Sequence, residues 1–464
     1  MNKTIKDDAF WLLVLYLAMV VLVFFLNLPL PQDDLLRDIV AGDYRYNYAN
    51  LYIHAPLMAK YNQYILFDII LHWLNVVGSR IITAHLIQFI CMVGFVMPVL
   101  MIVLKVLNAH KHKYVLATLL MMLLLNNFSM LRLILARPEM IFTCWVLWGL
   151  AFKSRMQLKV LWFAFGLLLI PCYWLSFFYI PAVFVIFNRP KAKMLLSVSY
   201  LVISVCFWQS YSHGAWFSSV LDLPVLNHNR LATIGENKTI LIMLLSPVTS
   251  IAAIIYLFLH NEQLKDVIRF IHNLKVSIFS NIKLIPIIRS LSAMLTNNSL
   301  LTTTSVLFGY FIIFNMIRYA AILSALFVII ITHSITKVSF RMPTIHKYIV
   351  LCLCIYLPLG VENYKFIPKF VLPQNSIVLG TSQSNYYVPF YSPNLKIAPA
   401  MEIGANEQGV QQIMKSIEVE GSVSCTELKK YHFEFLVERS LTTISPCLQI
   451  YQLQKGWRAW KVIY

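Results

Sequence analysis

From Phe10 to Gln32 the chain carries no charged residue. A helix of that length matches the hydrocarbon core of a bilayer, about 30 Å thick, where no water is present to satisfy bare backbone groups. A cleaved secretory signal would close on a small-x-small site. This run instead passes through Phe24, Phe25, Leu26 and Asn27 into proline, so it is expected to be a retained first span. Composition agrees: 59% of the 464 residues are hydrophobic and 12% are charged, and mean hydropathy is +0.70, too apolar for polar surface to cover in water.

The spanning-length rule gives candidate helices near 10–30, 81–107, 114–131, 138–153, 159–173, 174–187, 194–211, 239–259, 299–316, 319–336 and 348–361. The expected fold is thus a polytopic α-helical membrane protein of about eleven transmembrane helices. With a cytoplasmic N-terminus, the inner loops read "NAHKHK" (108–113), "KSRMQLK" (153–159), "NRPKAK" (188–193), the segment 260–298 and "KVSFRMPTIHK" (337–347). All are basic, as the positive-inside rule requires. Much of the net charge of +18 then faces anionic membrane lipids, and it gives no reason to invoke nucleic acid. Segment 260–298 spaces its apolar residues helically between Lys265, Arg269, Lys275, Lys283 and Arg289, which predicts amphipathic helices on the inner surface.

Near residue 362 the texture changes to short β-branched and aromatic runs broken by Pro, Asn, Ser and Gly. The expected division is a membrane module over 1–361 and a small soluble α/β domain over 362–464, which an odd number of spans places outside the cytoplasm. Cys425 and Cys447 are the two cysteines of that tail. A disulfide between them suits an oxidising compartment, the alternative being two unpaired buried thiols.

Carboxylates away from the inner loops and tail are Asp33, Asp34, Asp38, Asp43, Asp68, Glu139, Asp222 and Glu236, nearly all on the outer side. Arg132, Arg137 and Arg318 also fall there, against the usual charge bias. An arginine cluster facing carboxylates just under the outer surface suits a lipid phosphate, because guanidinium forks match phosphate oxygens. The blander reading makes Asp38, Asp43, Arg37 and Arg45 the solvated face of an interfacial helix, and pairs Arg137 with Glu139 across Pro138 as a turn. Motifs for nucleotide phosphates, zinc proteolysis and serine hydrolysis are missing, and no histidine pair has strong metal-ligand spacing.

An outer loop that opens with paired acids after the first span, here "PQDDLLRDIV" (31–40), resembles the GT-C superfamily of integral-membrane glycosyltransferases. "YNQYILFDIILHWLNVVGSRIITAHLIQF" (61–89) resembles the amphipathic stretch and second span that follow, and "LARPEMIFTCWVLWGLAF" (135–152) an arginine-proline-acid turn into the fourth span. "RYAAILSALFVII" (318–330) is similar to a late span opening with Arg-Tyr, and "PQNSIVLGTSQSNYYVPFYSPNLKIAP" (373–399) to the extracytoplasmic domains of bacterial members. The resemblance departs where Asp34 stands in place of a common Glu, and where the late span lacks a proline.

The resemblance implies transfer of a sugar from a polyprenyl-phosphate donor to a glycan, lipid or protein acceptor, at the outer face of a bacterial cytoplasmic membrane. It implies Asp33 as general base with Asp34 as its partner, and Arg132, Arg137 and Arg318 on the donor phosphate. Glu139, His54 and Asp68 are subsidiary contacts to donor or acceptor, with a structural role as the alternative for the histidine. No cofactor is expected, although Asp33 could share a divalent cation with the phosphate. A lipid-linked oligosaccharide polymerase and a multi-span transporter or flippase are the competing readings. The transporter would place charges mid-span and often repeat its halves, and no repeat is visible.

Reporter fusions at Lys111 and Lys191 are expected to read as cytoplasmic, and fusions at Asp43 and Cys425 as extracytoplasmic. A cytoplasmic signal from Cys425 would reverse the parity on which every outer-face assignment rests.

Overall fold

The computed structural model describes residues 10–21 except 12 and 19, and 34–55, 61–125, 127–221, 300–313, 320–336, 369–381, 384–398 and 407–463. The expected spans 239–259 and 348–361 and the amphipathic segment 260–298 lie outside these residues.

The helical part runs α1 (Asp34–Val40), α2 (Tyr48–Leu51), α3 (Ile65–Val77), α4 (Arg80–Val106), α5 (Lys113–Leu124), α6 (Asn127–Leu135), α7 (Pro138–Ala151), α8 (Met156–Leu169), α9 (Ile180–Ile186), α10 (Pro190–Tyr211), α11 (Ala215–Leu221), α12 (Leu300–Ile313) and α13 (Ala320–Ile335). Two of them, α4 and α10, are long and apolar enough to cross a membrane. Eleven full spans are therefore not reached among the described residues. The expected span 114–131 breaks into α5 and α6 at Leu125, and the break expected between the spans 159–173 and 174–187 falls between α8 and α9, where two 3-10 turns intervene. Pro171 and Pro181 explain the second break, since each lacks the backbone donor that a continuous helix needs.

Local chemistry sets the helix starts. Ser79 caps α4 by accepting from the Ile82 amide at 3.3 Å, and prolines occupy the first turns of α7 and α10. α13 is apolar all round and is the central post, packed against α4, α5, α6, α7 and α12. Between α7 and α8, Trp145 and Trp162 stack with ring centres 4.3 Å apart, and each indole N–H donates to the other residue's carbonyl at 2.8 and 2.5 Å. Both donors are thereby satisfied inside an apolar body.

The outward faces are apolar too. Leu161 and Leu168 of α8 are 66% and 67% exposed, and Leu195, Val198 and Val202 of α10 and Ile82 and Ile90 of α4 are similarly bare. Faces this apolar match the hydrocarbon of a bilayer better than water. α3 differs, because its 13 residues reach only about 20 Å. Phe67, Asp68 and Leu71 face inward while Ile70, Trp73 and Val77 face out, the pattern of a helix lying in the membrane interface outside the spans.

The tail forms a five-stranded mixed sheet in the order β2-β1-β3-β5-β4, with β1 (Ile377–Gly380) parallel to β2 (Lys396–Ala398) and β3 (Phe435–Glu438). β5 (Trp457–Val462) is antiparallel to β3 and to β4 (Leu448–Gln454). Helices α14 (Ser384–Tyr391), α15 (Gln408–Lys415) and α16 (Cys425–Lys430) complete an α/β unit. Its buried acid, Glu438, accepts from the Trp460 indole at 2.8 Å and the Leu441 amide at 2.6 Å, and pairs with Arg458 at 2.9 Å. Cys425 and Cys447 are joined by a disulfide that closes a 22-residue separation, with Cα atoms 5.9 Å apart.

Alkylation of denatured, unreduced protein should leave Cys425 and Cys447 unlabelled. Opening the bridge with Cys425→Ser/Cys447→Ser should destabilise the tail unit by about 3 kcal/mol, the loop-closure entropy of that separation. Full labelling of both thiols would remove the bridge.

Candidate active site

α1 begins at Asp34 and reads "DLLRDIV". Leu35, Leu36, Ile39 and Val40 are all buried, where α1 packs against α3, α4 and α14. At about 100° per residue, positions 34, 37 and 38 share the face left over. At Arg37 and Asp38 that face is not open to solvent.

Asp38 is fully buried. Its Oδ1 accepts from Nε and Nη2 of Arg37 at 3.2 and 3.1 Å. The guanidinium lies over the Tyr48 ring, 4.5 Å from its centre, and 6.0 Å from that of Tyr64. The Tyr48 hydroxyl oxygen is 2.8 Å from Asp38 Oδ1 and 2.6 Å from Asp68 Oδ2. Asn62 Nδ2 donates to that same Asp68 oxygen at 2.6 Å, and Asn62 is fixed in turn by the Tyr64 amide, which donates to its Oδ1 at 2.8 Å.

Hydrogen counting decides where the charge sits. Tyr48 has one hydroxyl hydrogen and two short contacts to carboxyl oxygens, so the second contact needs a hydrogen from a carboxylic acid. Asp68 is the better holder. Burial, and next the neighbouring Asp38, raise its pKa well above the usual carboxylate range, against weaker lowering by Tyr48, Asn62 and Arg37. Asp68 then donates to Tyr48, Tyr48 donates to Asp38, and the negative charge rests on Asp38 beside Arg37. Oδ1 of Asp68 has no hydrogen-bond partner among the described residues.

The tail closes over this network. Arg80, the first residue of α4, forms an ion pair with Asp43 and donates to the carbonyls of Pro389 and Phe390 at 3.1 and 2.6 Å. The Leu395 amide donates to the Tyr44 hydroxyl at 3.1 Å. Tyr52 bridges to Ile397 in parallel, and the Ile53 amide donates to the Ile397 carbonyl at 3.0 Å, so the loop after α2 extends the sheet beyond β2. Gly42 admits the His72 ring, which a Cβ there would meet at 2.2 Å from Nδ1.

Several expectations are corrected. Asp38 and Arg37 are not a solvated face: the first is fully buried, and the second has 11% of its side chain exposed. Asp43 is partly buried and paired with Arg80; among the four, Arg45 alone is exposed, at φ 54°. His54 lies 3.5 Å from Glu407 Oε1 and edge-on to Tyr431, a clasp on the tail rather than a neighbour of the acids. Asp33 and Arg318 lie outside the described residues, and Asp34 is placed by its backbone at the start of α1. Arg132 is buried in the last turn of α6, Arg137 caps α7 and Glu139 is buried in its first turn. Glu139 Oε1 has no hydrogen-bond partner among the described residues, so a local Arg137 pair does not saturate that carboxyl. Gln88 of α4 secures this corner by donating to the Ile134 carbonyl at 2.6 Å.

Tyr48, Asn62 and Tyr64 were not legible as site residues, because none carries formal charge. The face shared by positions 34, 37 and 38 was the available signal for Asp38. Among the described residues, no three His, Cys, Asp or Glu side chains group so as to hold a metal ion.

No family model matches the chain, and no curated protein matches it. Among solved structures it is similar to the oligosaccharyltransferase of Archaeoglobus fulgidus, crystallised with an acceptor peptide containing the NVT sequon tethered through a disulfide bond. Identity is 12% and the TM-score 0.45, over 94% of this chain and 69% of that one. At that distance residues cannot be carried from one to the other.

Because its pKa in the folded protein is raised, Asp68 contributes stability that is complete below the unfolded value of about 4 and is lost as pH rises through the folded value. Asp68→Asn, which mimics the protonated acid, should flatten that decline when Tm is followed against pH in detergent. Asp38→Asn instead strips Arg37 of its counter-charge and should cost about 3–5 kcal/mol. An unchanged pH slope in Asp68→Asn would place the proton elsewhere.

Proposed function

We propose that this chain is a membrane glycosyltransferase of the GT-C type, which moves a sugar from a polyprenyl-phosphate donor to an acceptor hydroxyl or amide at the outer membrane face. The observation that carries the reading is the buried Asp38–Tyr48–Asp68 network with Arg37, which holds α1, and with it position 34, rigidly at the outer end of the first apolar segment. A general base must be held within a fraction of an ångström of its proton, and a network buried under the tail supplies such a mount.

In the reaction, the acceptor oxygen or nitrogen attacks the anomeric carbon and the bond from that carbon to the phosphate oxygen breaks. The acceptor proton passes to Asp33, with Asp34 orienting the incoming group. Polyprenyl phosphate departs with the bonding electron pair, and Arg132, Arg137 and Arg318 offset its charge. Asp34 opens α1 and Asp33 precedes it in the sequence, so the Asp38 network positions the Asp34 backbone through the helix without touching substrate. The unsatisfied carboxyl of Glu139 beside Arg137 is a contact for donor or acceptor hydroxyls.

Purified protein supplied with a panel of polyprenyl-phosphate sugars should consume one of them, followed by mass spectrometry. Asp33→Asn should lower turnover by about 10²- to 10⁴-fold while donor binding survives. Arg318→Ala should weaken binding as well, by about 2–5 kcal/mol. Normal transfer by both Asp33→Asn and Asp34→Asn, in folded and inserted protein, would sink the catalytic reading.

A further inference from the structure

The far end of α4 bears a second polar site. Arg80 marks the outer end of the helix, beside Asp43, and Lys105 lies in its last turn, about 38 Å away at the helical rise. There a cavity of about 420 Å³ opens among the ends of α4, α7 and α12 and the loops after α7 and α9. Its polar lining is Lys105, Lys153, Ser154, Arg155 and Asn188. Its apolar wall is Ile102, Leu150 and Leu300.

Three cations converge on this space and no Asp or Glu lines it. Lys159 and Lys193 are near enough to add their repulsion at Lys153. Lys159 itself is buried, with 4% of its surface exposed. Like charges gathered at a partly buried cavity repel one another, and an anion is the group that relieves them. Neighbouring hydroxyls hold two of the cations in place: Lys105 Nζ donates to Ser154 Oγ at 3.1 Å, and Lys153 Nζ donates to Thr303 Oγ1. The positive-inside rule accounts for lysines scattered on this side. It does not account for their convergence on one acid-free cavity.

We propose that this cavity binds a phosphate group at the inner membrane face. The cations and the Asn188 amide supply donors to the phosphate oxygens, with Arg155 presenting the fork that suits them. The wall of Ile102, Leu150 and Leu300 lies where the acyl chain of a phosphate-bearing lipid would run, and a free phosphate would use the polar side alone. The site stands without the outer-face reading, since it shares no residue with it.

Full-length protein in uncharged detergent can be titrated by native mass spectrometry with dioctanoyl phosphatidylglycerol and dioctanoyl phosphatidylcholine, and by calorimetry with inorganic phosphate. The expected result is retention of phosphatidylglycerol over phosphatidylcholine, with Lys105→Gln/Arg155→Gln weakening it by about tenfold or more, the size of a lost charged hydrogen bond. Both substituted residues are exposed at the cavity rim, so the variant retains its fold, which Tm and gel filtration verify. Lys111→Gln, which does not line the cavity, should bind as the parent does. Binding of inorganic phosphate that is lost in the double variant would make the source a soluble anion and still support the site. Equal binding by parent and double variant, equal loss in Lys111→Gln, or binding of no probe would overturn it.

Discussion

One hydroxyl group between two buried acids organises the helices α1 to α3 of this protein. Tyr48 lies within 2.8 Å of a carboxyl oxygen on each of Asp38 and Asp68, and buried carboxylates cannot both be ionised at that separation without a counter-charge for each. Arg37 supplies one counter-charge and a retained proton replaces the other. The consequence is mechanical: α1, α2 and α3, three short helices that nucleate poorly alone, become one unit through polar bonds in a dry setting.

That unit also explains where the tail sits. The sheet does not float on a linker; the loop after α2 adds to its edge at Tyr52 and Ile53, and α14 packs on α1. Arg80 ties the two together by bonding Asp43 on one side and two carbonyls of α14 on the other. A backbone edge left open would be a liability, and here it is occupied by the segment that must be held still. The fold thereby shields the acidic network from water, which strengthens every electrostatic contact inside it.

α4 relates the two polar ends. Its length separates the end beside Asp43 and Arg80 from the end beside Lys105 and Lys153, where no Asp or Glu lines the cavity, while between them its outward face, Ile82, Ile90 and Met97, is apolar. α13 needs no such polarity, because neighbours cover it on all sides, and α3 stops too early to cross. Charge asymmetry and apolar length are thus separate constraints, and only the longest helices satisfy both at once.

Sequence by itself determined the apolar class, the basic character of several connecting loops, the change of texture before the tail sheet, and the cysteines available to bridge there, because these follow from composition and spacing along one dimension. It marked Asp34 at a helix start and left a face shared with Arg37 and Asp38 to be read. Whether that face meets water depends on Tyr48 and Asp68, ten and thirty residues after Asp38, arriving against it, which no local pattern encodes. Tertiary structure therefore decided that Asp38 is buried, that His54 clasps the tail, and that the expected span 114–131 breaks at Leu125. The physical reason is that burial and protonation belong to the set of groups gathered in space, whereas periodicity records only what each segment offers to that gathering.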